Sequence, residues 1–330
     1  MHVDIRTVNV KPLRNTFDHL AARFGDKAAT RYQEATFDVQ PETNFHYKPL
    51  WDPEREIFDK RRTAIVMKDF YALKDPRQFF YGSYTMTRAK QQEALDGHMQ
   101  FIEKRDLMRH LPEDVQNAII TLLVPMRHYE WGANMANAQI AAYGWGTAIT
   151  QAAMMATMDR LGMAQHLSRL GLLLDGNQGT SLQTAKTEWT DNPAFQPLRN
   201  RVEDIFVTKD WFETMVAQNL VADALVYPLF FLHYDNRVIS MHGQALSLVL
   251  DYMMKWYQET SKWVDAVVKT AAAESPENKA LVAGWIAKWR GGFAEALAPL
   301  SARMFGADGD AVLAEIVAAF DQRVAKLGVV

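Results

Sequence analysis

The feature that most restricts what this chain can fold into is a stretch without charge. From Trp131 to Met158 no Asp, Glu, Lys or Arg occurs. Leading into it and through it, Val115, Ile119, Leu122, Met126, Tyr129, Ala133, Ala136 and Ile140 recur at alternating spacings of four and three. Residues so spaced share one face of a helix, so they form a single apolar seam. Pro112 and Asp114 supply the preset φ and the acidic group that favour a helix start. After Gly144 a second helix is predicted through Ile149, Ala152, Met155 and Met158 to about His166. A surface helix normally carries a charged face, so a pair without one must be covered on nearly all sides. The cover is its own domain, a lipid bilayer or another subunit.

The bilayer fits poorly. Spanning takes about 20 predominantly apolar residues, whereas Asn134, Asn137, Gln139, Thr147, Thr150 and Gln151 are scattered through this stretch. Glu130 and Asp159 flank it, and no Lys/Arg cluster sets an orientation. No membrane association is expected. The net charge of −3 shows no basic excess, so nucleic acid is not an expected partner either. The absence of Cys removes disulfides, thiolate metal sites and a Cys nucleophile together. No apolar run follows Met1, so no signal peptide is expected, and a cytoplasmic setting fits.

Taken in order, the chain divides into an arm and a helical body. Residues 1–68 read as an extended N-terminal arm, with a short helical candidate around Phe17–Phe24. Pro41, Pro49 and Pro53 hold the residues before them out of the α region. The run from Asn44 to Trp51 is rich in aromatics outside any regular element, so it lies against its own core or across a partner. Residues 69–330 read as a single helical domain. Its core helices are expected at about 84–105, 113–141, 145–168, 198–234 and 237–270, and C-terminal helices at about 276–290 and 308–327. Pro228 predicts a kink, Asp235-Asn236 a break, and Ser275-Pro276-Glu277 a helix start. Between 175 and 197 a loop is expected, Asp175-Gly-Asn-Gln-Gly179 being a turn that lacks the Lys-Ser/Thr of a P-loop.

Two helix pairs separated by a long connection resemble the ferritin-like arrangement, so the fold class is all-α: a ferritin-like helical bundle with extra helices. Such bundles often hold two irons through Glu-x-x-His on each of two helices and a Glu on each of two others. No Glu-x-x-His occurs in these helices. The nearest shapes, Glu130-x-x-Ala133 and Asp251-x-x-Met254, end in side chains that cannot ligate iron. Glu130 is expected to pair with a neighbour such as Arg127. His128, His233 and His242 lack ligand spacing to one another, and His233 is expected to satisfy a hydrogen bond near a helix end. Gly-x-Ser-x-Gly, His-Glu-x-x-His and dinucleotide fingerprints are absent. No catalytic, cofactor-binding or metal residue is assigned.

The block Phe70–Gln92, with Lys74-Asp-Pro-Arg-Gln-Phe79, read beside His128-Tyr-Glu-Trp-Gly-Ala-Asn-Met-Ala-Asn137 and Tyr143-Gly-Trp145, resembles a known family. It is similar to the β subunit of bacterial multicomponent di-iron monooxygenase hydroxylases, in the phenol hydroxylase branch beside the toluene monooxygenases. The resemblance implies a dimer of αβγ protomers in which α and β share the ferritin-like fold and only α holds the two irons. It implies electrons from NADH through a reductase carrying flavin and an iron–sulfur cluster, a small regulatory protein, and insertion of oxygen into phenol to give catechol. This chain would be the non-catalytic structural β subunit. The uncharged helices would then be partly an inter-subunit surface, with Trp131, Ala133, Ala136, Tyr143, Trp145 and Trp51 as candidate contacts, and the aromatic arm would clasp α. Two other readings stand beside it. One is a self-sufficient ferritin-like metal enzyme using carboxylates such as Glu130, Asp223 and Asp251. The other is a helical scaffold unrelated to oxygenases.

Overall fold

The computed structural model of the protein describes residues 18–25 and 28–330. No strand occurs among the described residues. Phe17, the first residue of the N-terminal helical candidate, lies outside them, and the helix itself, α1, spans Asp18–Phe24. A second short helix, α2 (Arg31–Thr36), opens on a capping box in which Thr30 and Gln33 satisfy each other's backbone N–H groups.

The rest of the arm is irregular apart from single turns at Lys60–Arg62 and Phe70–Ala72. Much of it lies over the chain's own core. Leu20, Tyr32 and Phe37 pack with Tyr71 and Ala148. The Arg23 guanidinium sits 4.8 Å from the Tyr71 ring and pairs with Asp38 and Asp69. Further on, the backbone N–H groups of Ala64, Val66 and Lys68 donate to Asp210, Asn278 and Glu274. The part left uncovered is the aromatic tip, where Tyr47, Leu50 and Trp51 are exposed.

The body begins with α3 (Tyr81–Lys104). α4 (Glu113–Ala118) passes through a wide π turn (Ile119–Leu123), and past Pro125 the chain continues as α5 (Met126–Tyr143). Every residue of the seam from Val115 to Ile140 is buried. A tight connection, with Gly146 at φ +89, returns the chain along α5 as α6 (Thr147–Leu174). Ile149, Ala152 and Met155 face inward on it, but Met158 is exposed. α6 turns residues 154, 158 and 161 outward.

The region expected to be a loop holds a helix, α7 (Thr180–Asp191). Its inward residues, Ala185 and Trp189, are too few to show a period. Its start is fixed instead by the Asp175 carboxylate, which accepts from the Ser181 N–H and Oγ–H. The expected helix 198–234 is two helices. α8 (Gln196–Phe206) ends four residues before Asp210, which caps α9 by accepting from Phe212 and Glu213 N–H. α9 (Trp211–His242) then runs past the expected break at Asp235-Asn236 and ends at Gly243, φ +87. At Pro228 it continues through a wide turn, Pro228–His233, which accommodates the missing N–H. Among the described residues α9 is the one helix long and apolar enough to cross a bilayer, and 89% of its apolar window is buried inside the protein.

α10 (Ser247–Glu274) and α11 (Pro276–Phe305) follow, the latter capped by Ser275 on Asn278 N–H as its sequence foretells. α11 does not stop at Gly291-Gly292. It packs on α8, where a Cβ at Gly292 would stand 3.3 Å from Arg201 Cδ, and closeness rather than a turn explains that glycine. α12 (Gly309–Leu327) lies along α11. One apolar cluster runs from Ile65 to Val329. Its centre is α9, whose Trp211, Phe212 and Phe230 are wholly enclosed, each such side chain contributing about 1.5–3 kcal/mol by leaving water.

Candidate functional site

At the middle of the bundle, where α5, α6 and α9 meet, the core turns polar. Glu130 projects from α5, Arg160 from α6, and Asn219, Asp223 and Tyr227 from α9, all at 0–2% exposure. Arg160 donates through Nη1 to Glu130 Oε2 (3.1 Å) and through Nη2 to Asp223 Oδ2. Tyr227 donates to Glu130 Oε1 (2.8 Å), and Tyr129 donates to Asp223 Oδ1 (2.7 Å). Gln218 adds a bond to that same oxygen (3.1 Å), while the amides of Asn137 and Asn219 pair with each other. The Arg160 guanidinium also rests 4.5 Å from the Trp256 ring of α10.

A wide turn in α9, Val216–Ala222, gathers these side chains. There the Asp223 N–H donates five residues back to Gln218 O, so Gln218, Asn219 and Asp223 come to one side of the helix. A regular α-helix would aim Gln218 elsewhere.

The electrostatics follow from dryness. Burial lowers the Arg160 pKa, but Asp223, Tyr227 and Glu130 outweigh it and hold the group charged, well above its ordinary value. For Glu130 burial wins. Against the pull of Arg160, and with Asp223 adding repulsion, its carboxyl is pushed up to about 7. One cation therefore faces two carboxyl groups, and the second holds its proton near neutrality.

Three expectations are corrected here. Glu130 pairs with Arg160 on the next helix, not with Arg127. Asp251 is not in the core: it is half-exposed on α10 and paired with Lys255 at 2.6 Å. His233 lies inside α9 rather than near its end. His128 stacks on Trp189, and burial, followed by Arg127 and Lys186, pushes it down to about 4, so it is neutral.

The candidate contact residues separate into two groups. Ala133 and Ala136 are enclosed by the chain itself, because the seam side of α5 packs on α6, α8 and α9, and Trp145 is buried in the connection between α5 and α6. Within this chain they are not surface residues. Trp131 is half-exposed, as are Met135, Met154 and Met158, and they make an apolar outer face on the α5–α6 hairpin. Trp131 leans edge-on against Phe206 (5.9 Å), and Trp51 packs on the half-buried Tyr143 (5.2 Å). Between these two pairs lies an open groove of about 950 Å³.

Relatives of known description share this frame. The sequence profile described as Methane/Phenol/Alkene Hydroxylase matches residues 51–275. The chain belongs to that family. Among its relatives are the phenol 2-monooxygenase oxygenase component DmpL of Pseudomonas sp. (strain CF600), 47% identical over 99% of this chain and 98% of that one, and the oxygenase component MhpL of Acinetobacter pittii (strain PHEA-2), 45% identical over 92% and 89%. The hydroxylase component subunit beta of the toluene-4-monooxygenase system of Ectopseudomonas mendocina is 25% identical over 85% and 87%. The fold agrees with a crystal structure of xenon-pressurized phenol hydroxylase from Pseudomonas sp. OX1, at 43% identity, 98% of both chains and a TM-score of 0.92. The resemblance to the phenol hydroxylase branch and the ferritin-like all-α class are thereby established.

Methane/phenol/alkene hydroxylase components are di-iron proteins, so the central cluster of this family member has to be tested as an iron site. It does not fit one. Two irons need a set of carboxylates and imidazoles converging on shared positions. Here two carboxyl groups converge, and the space between them is filled by the Arg160 guanidinium. Their oxygens are taken by Arg160, two tyrosines and an amide. Among the described residues no three His, Asp or Glu stand together as a metal would require. Arg160 was not singled out in the sequence, although it lies just beyond the uncharged stretch. The charged pair Asp159-Arg160 that ends the uncharged stretch, with Glu130 one helix away, was the available signal.

Proposed function

We propose that this chain is the non-catalytic, structural β subunit of the oxygenase component of an NADH-dependent multicomponent phenol monooxygenase. In this reading the system inserts one oxygen atom of O2 into phenol to give catechol and reduces the other to water with electrons from NADH. The two irons sit in a partner α subunit within a dimer of αβγ protomers. A reductase with flavin and an iron–sulfur cluster supplies the electrons, a small regulatory protein adjusts turnover, and the assembly works in the cytoplasm. Residues 69–330 serve as one helical domain. The outer face of α5–α6, with Trp131, Tyr143 and Trp51, meets α, and the aromatic tip of the arm extends that contact.

The observation that supports this reading most is the Glu130–Arg160–Asp223 cluster. An organic cation there satisfies the carboxyl groups that a di-metal centre would otherwise use, so the bundle keeps its architecture without the metal. A self-sufficient metal enzyme would need those oxygens free. The deciding experiment is metal analysis of the purified complex after its subunits are separated. Iron is expected with the partner chain and below one atom per ten copies in this one, with phenol turnover only in the reassembled complex. Two irons per copy of this chain, with turnover by the chain and reductase alone, would sink the proposal.

A further inference from the structure

The geometry points to the groove between the arm and α5 as the seat of an acidic segment of a partner subunit, a deepening that rests on the reading above. Its floor is aromatic, formed by Trp51, Tyr143, Trp131 and Phe206. Its rim is basic: Arg55, Arg61, Arg62 and Lys209 line it against only Asp52 and Asp210, on a chain whose net charge is −3. Both acids are engaged already. Asp52 accepts from Arg55 and Arg62, and Asp210 caps α9 while holding Ala64 N–H. Arg61 is bound in turn by Asp59 beside the lining, so four cations stand against three carboxylates and the surplus facing the groove is one positive charge.

Arg62 supplies an independent sign of an acceptor. Its side chain is 6% exposed, with the guanidinium 4.7 Å from the Trp51 ring and 5.6 Å from Tyr143. Nη1 donates to Asp52 and Nη2 to Glu56 O, yet the buried Nε–H has no acceptor among the described residues. A buried charged donor left unmatched is costly, and a carboxylate entering the groove would relieve it. Val207, highly exposed at the groove's edge, offers an apolar landing beside it. The groove is continuous with the uncovered face of α5 through Trp131 and Met135, so a subunit covering that face would pass directly over it. Its occupant is an extended stretch of that subunit carrying Asp or Glu next to an apolar or aromatic side chain.

The test uses the assembled oxygenase component. Carbodiimide treatment followed by peptide mass spectrometry should join the Lys209 amine to an Asp or Glu of another subunit. Val207→Glu combined with Lys209→Glu alters two exposed positions. It should weaken retention of that subunit about tenfold at low ionic strength, and less in high salt, as expected of charge steering at a rim. Lys326→Glu on α12, outside the groove, should leave retention unchanged. Cross-links from Lys209 only to its own chain or to a second copy, or full retention by the double variant, would overturn the groove assignment alone. If no other subunit accompanies the wild-type chain, the reading of its function falls and takes the groove with it.

Discussion

Two ion clusters sit side by side in this bundle, and they have the same shortage of charge. The inner one sets Arg160 against Glu130 and Asp223. The outer one sets Arg77 and Arg88 against Asp75, Asp159 and Glu259. Each has one carboxyl group more than it has cations. Trp256 joins them, with its ring face beneath Arg160 and its Nε1–H donated to Asp159 (2.8 Å). Yet the two excess carboxyl groups behave oppositely. Burial raises both, but for Glu259 the hydrogen bond and charge of Arg88, followed by Arg77, win and its pKa is lowered. For Glu130 burial wins. The difference is water: the Glu259 side chain is 22% exposed, that of Glu130 not at all. Ion count does not decide protonation here; access to solvent does.

The largest test of that contrast removes the inner cation. Arg160→Met leaves Glu130 and Asp223 uncompensated in a dry core, and breaking such a pair costs about 3–5 kcal/mol. Urea unfolding of the purified protein, followed by far-UV circular dichroism, should show the loss. The triple change Arg160→Met, Glu130→Gln, Asp223→Asn should recover most of it, because the cost comes from stranded charge rather than lost contacts. A single variant within about 1 kcal/mol of wild type would mean that the cluster does not hold the three helices together.

A smaller effect is expected at the outer cluster. Arg88 binds Asp159 through two bonds of 2.8 and 2.7 Å and reaches Glu259 at 3.0 Å. Arg88→Met should cost about 1–3 kcal/mol, the scale of hydrogen bonds to charged groups. Water reaches Glu259, and Tyr84 and Trp256 still serve Asp159. The same denaturation measurement ranks the two arginines. A loss at Arg88 equal to that at Arg160 would remove solvent access as the distinguishing factor.

How far these features were legible in the sequence follows from their causes. The seam from Val115 to Ile140 was readable because burial imposes a period, and the cap at Ser275 because a local hydrogen bond imposes a residue type. α7 was not, since its start depends on Asp175 and its apolar face is only two residues deep. The gap between α8 and α9 was hidden because Ile205 and Phe212 both face inward across it, so the apolar pattern ran on where the backbone did not. Glu130 and Asp223 were both picked out as carboxylates of interest, but their convergence needed the π turn at Val216–Ala222, which no spacing rule anticipates. Ala136 shows the converse. Small size at a close helix approach reads the same whether the neighbour belongs to this chain or another, and only the fold assigns it to this one.

The finest test concerns the proton on Glu130. Its folded pKa of about 7 lies above the ordinary carboxyl value near 4.5, so between those values the folded state holds more proton than the unfolded state. Stability then falls as pH rises through that window. The contribution is complete below about pH 4.5, declines toward pH 7, and is gone above it. The slope from this one group is at most about 1.4 kcal/mol per pH unit. Glu130→Gln keeps the shape and an acceptor for Arg160 and Tyr227 but cannot titrate, so it should flatten the difference between pH 5 and pH 7 in matched urea titrations. Glu259→Gln should leave the pH 5 to pH 7 difference nearly unchanged and act at lower pH in the opposite sense. A lowered carboxyl pKa contributes stability that is present above the unfolded value near 4.5 and lost on acidification below it. If Glu130→Gln leaves the pH 5 to pH 7 difference intact, as Glu259→Gln should, Glu130 shares the outer cluster's access to water, and the core is wetter than its burial implies.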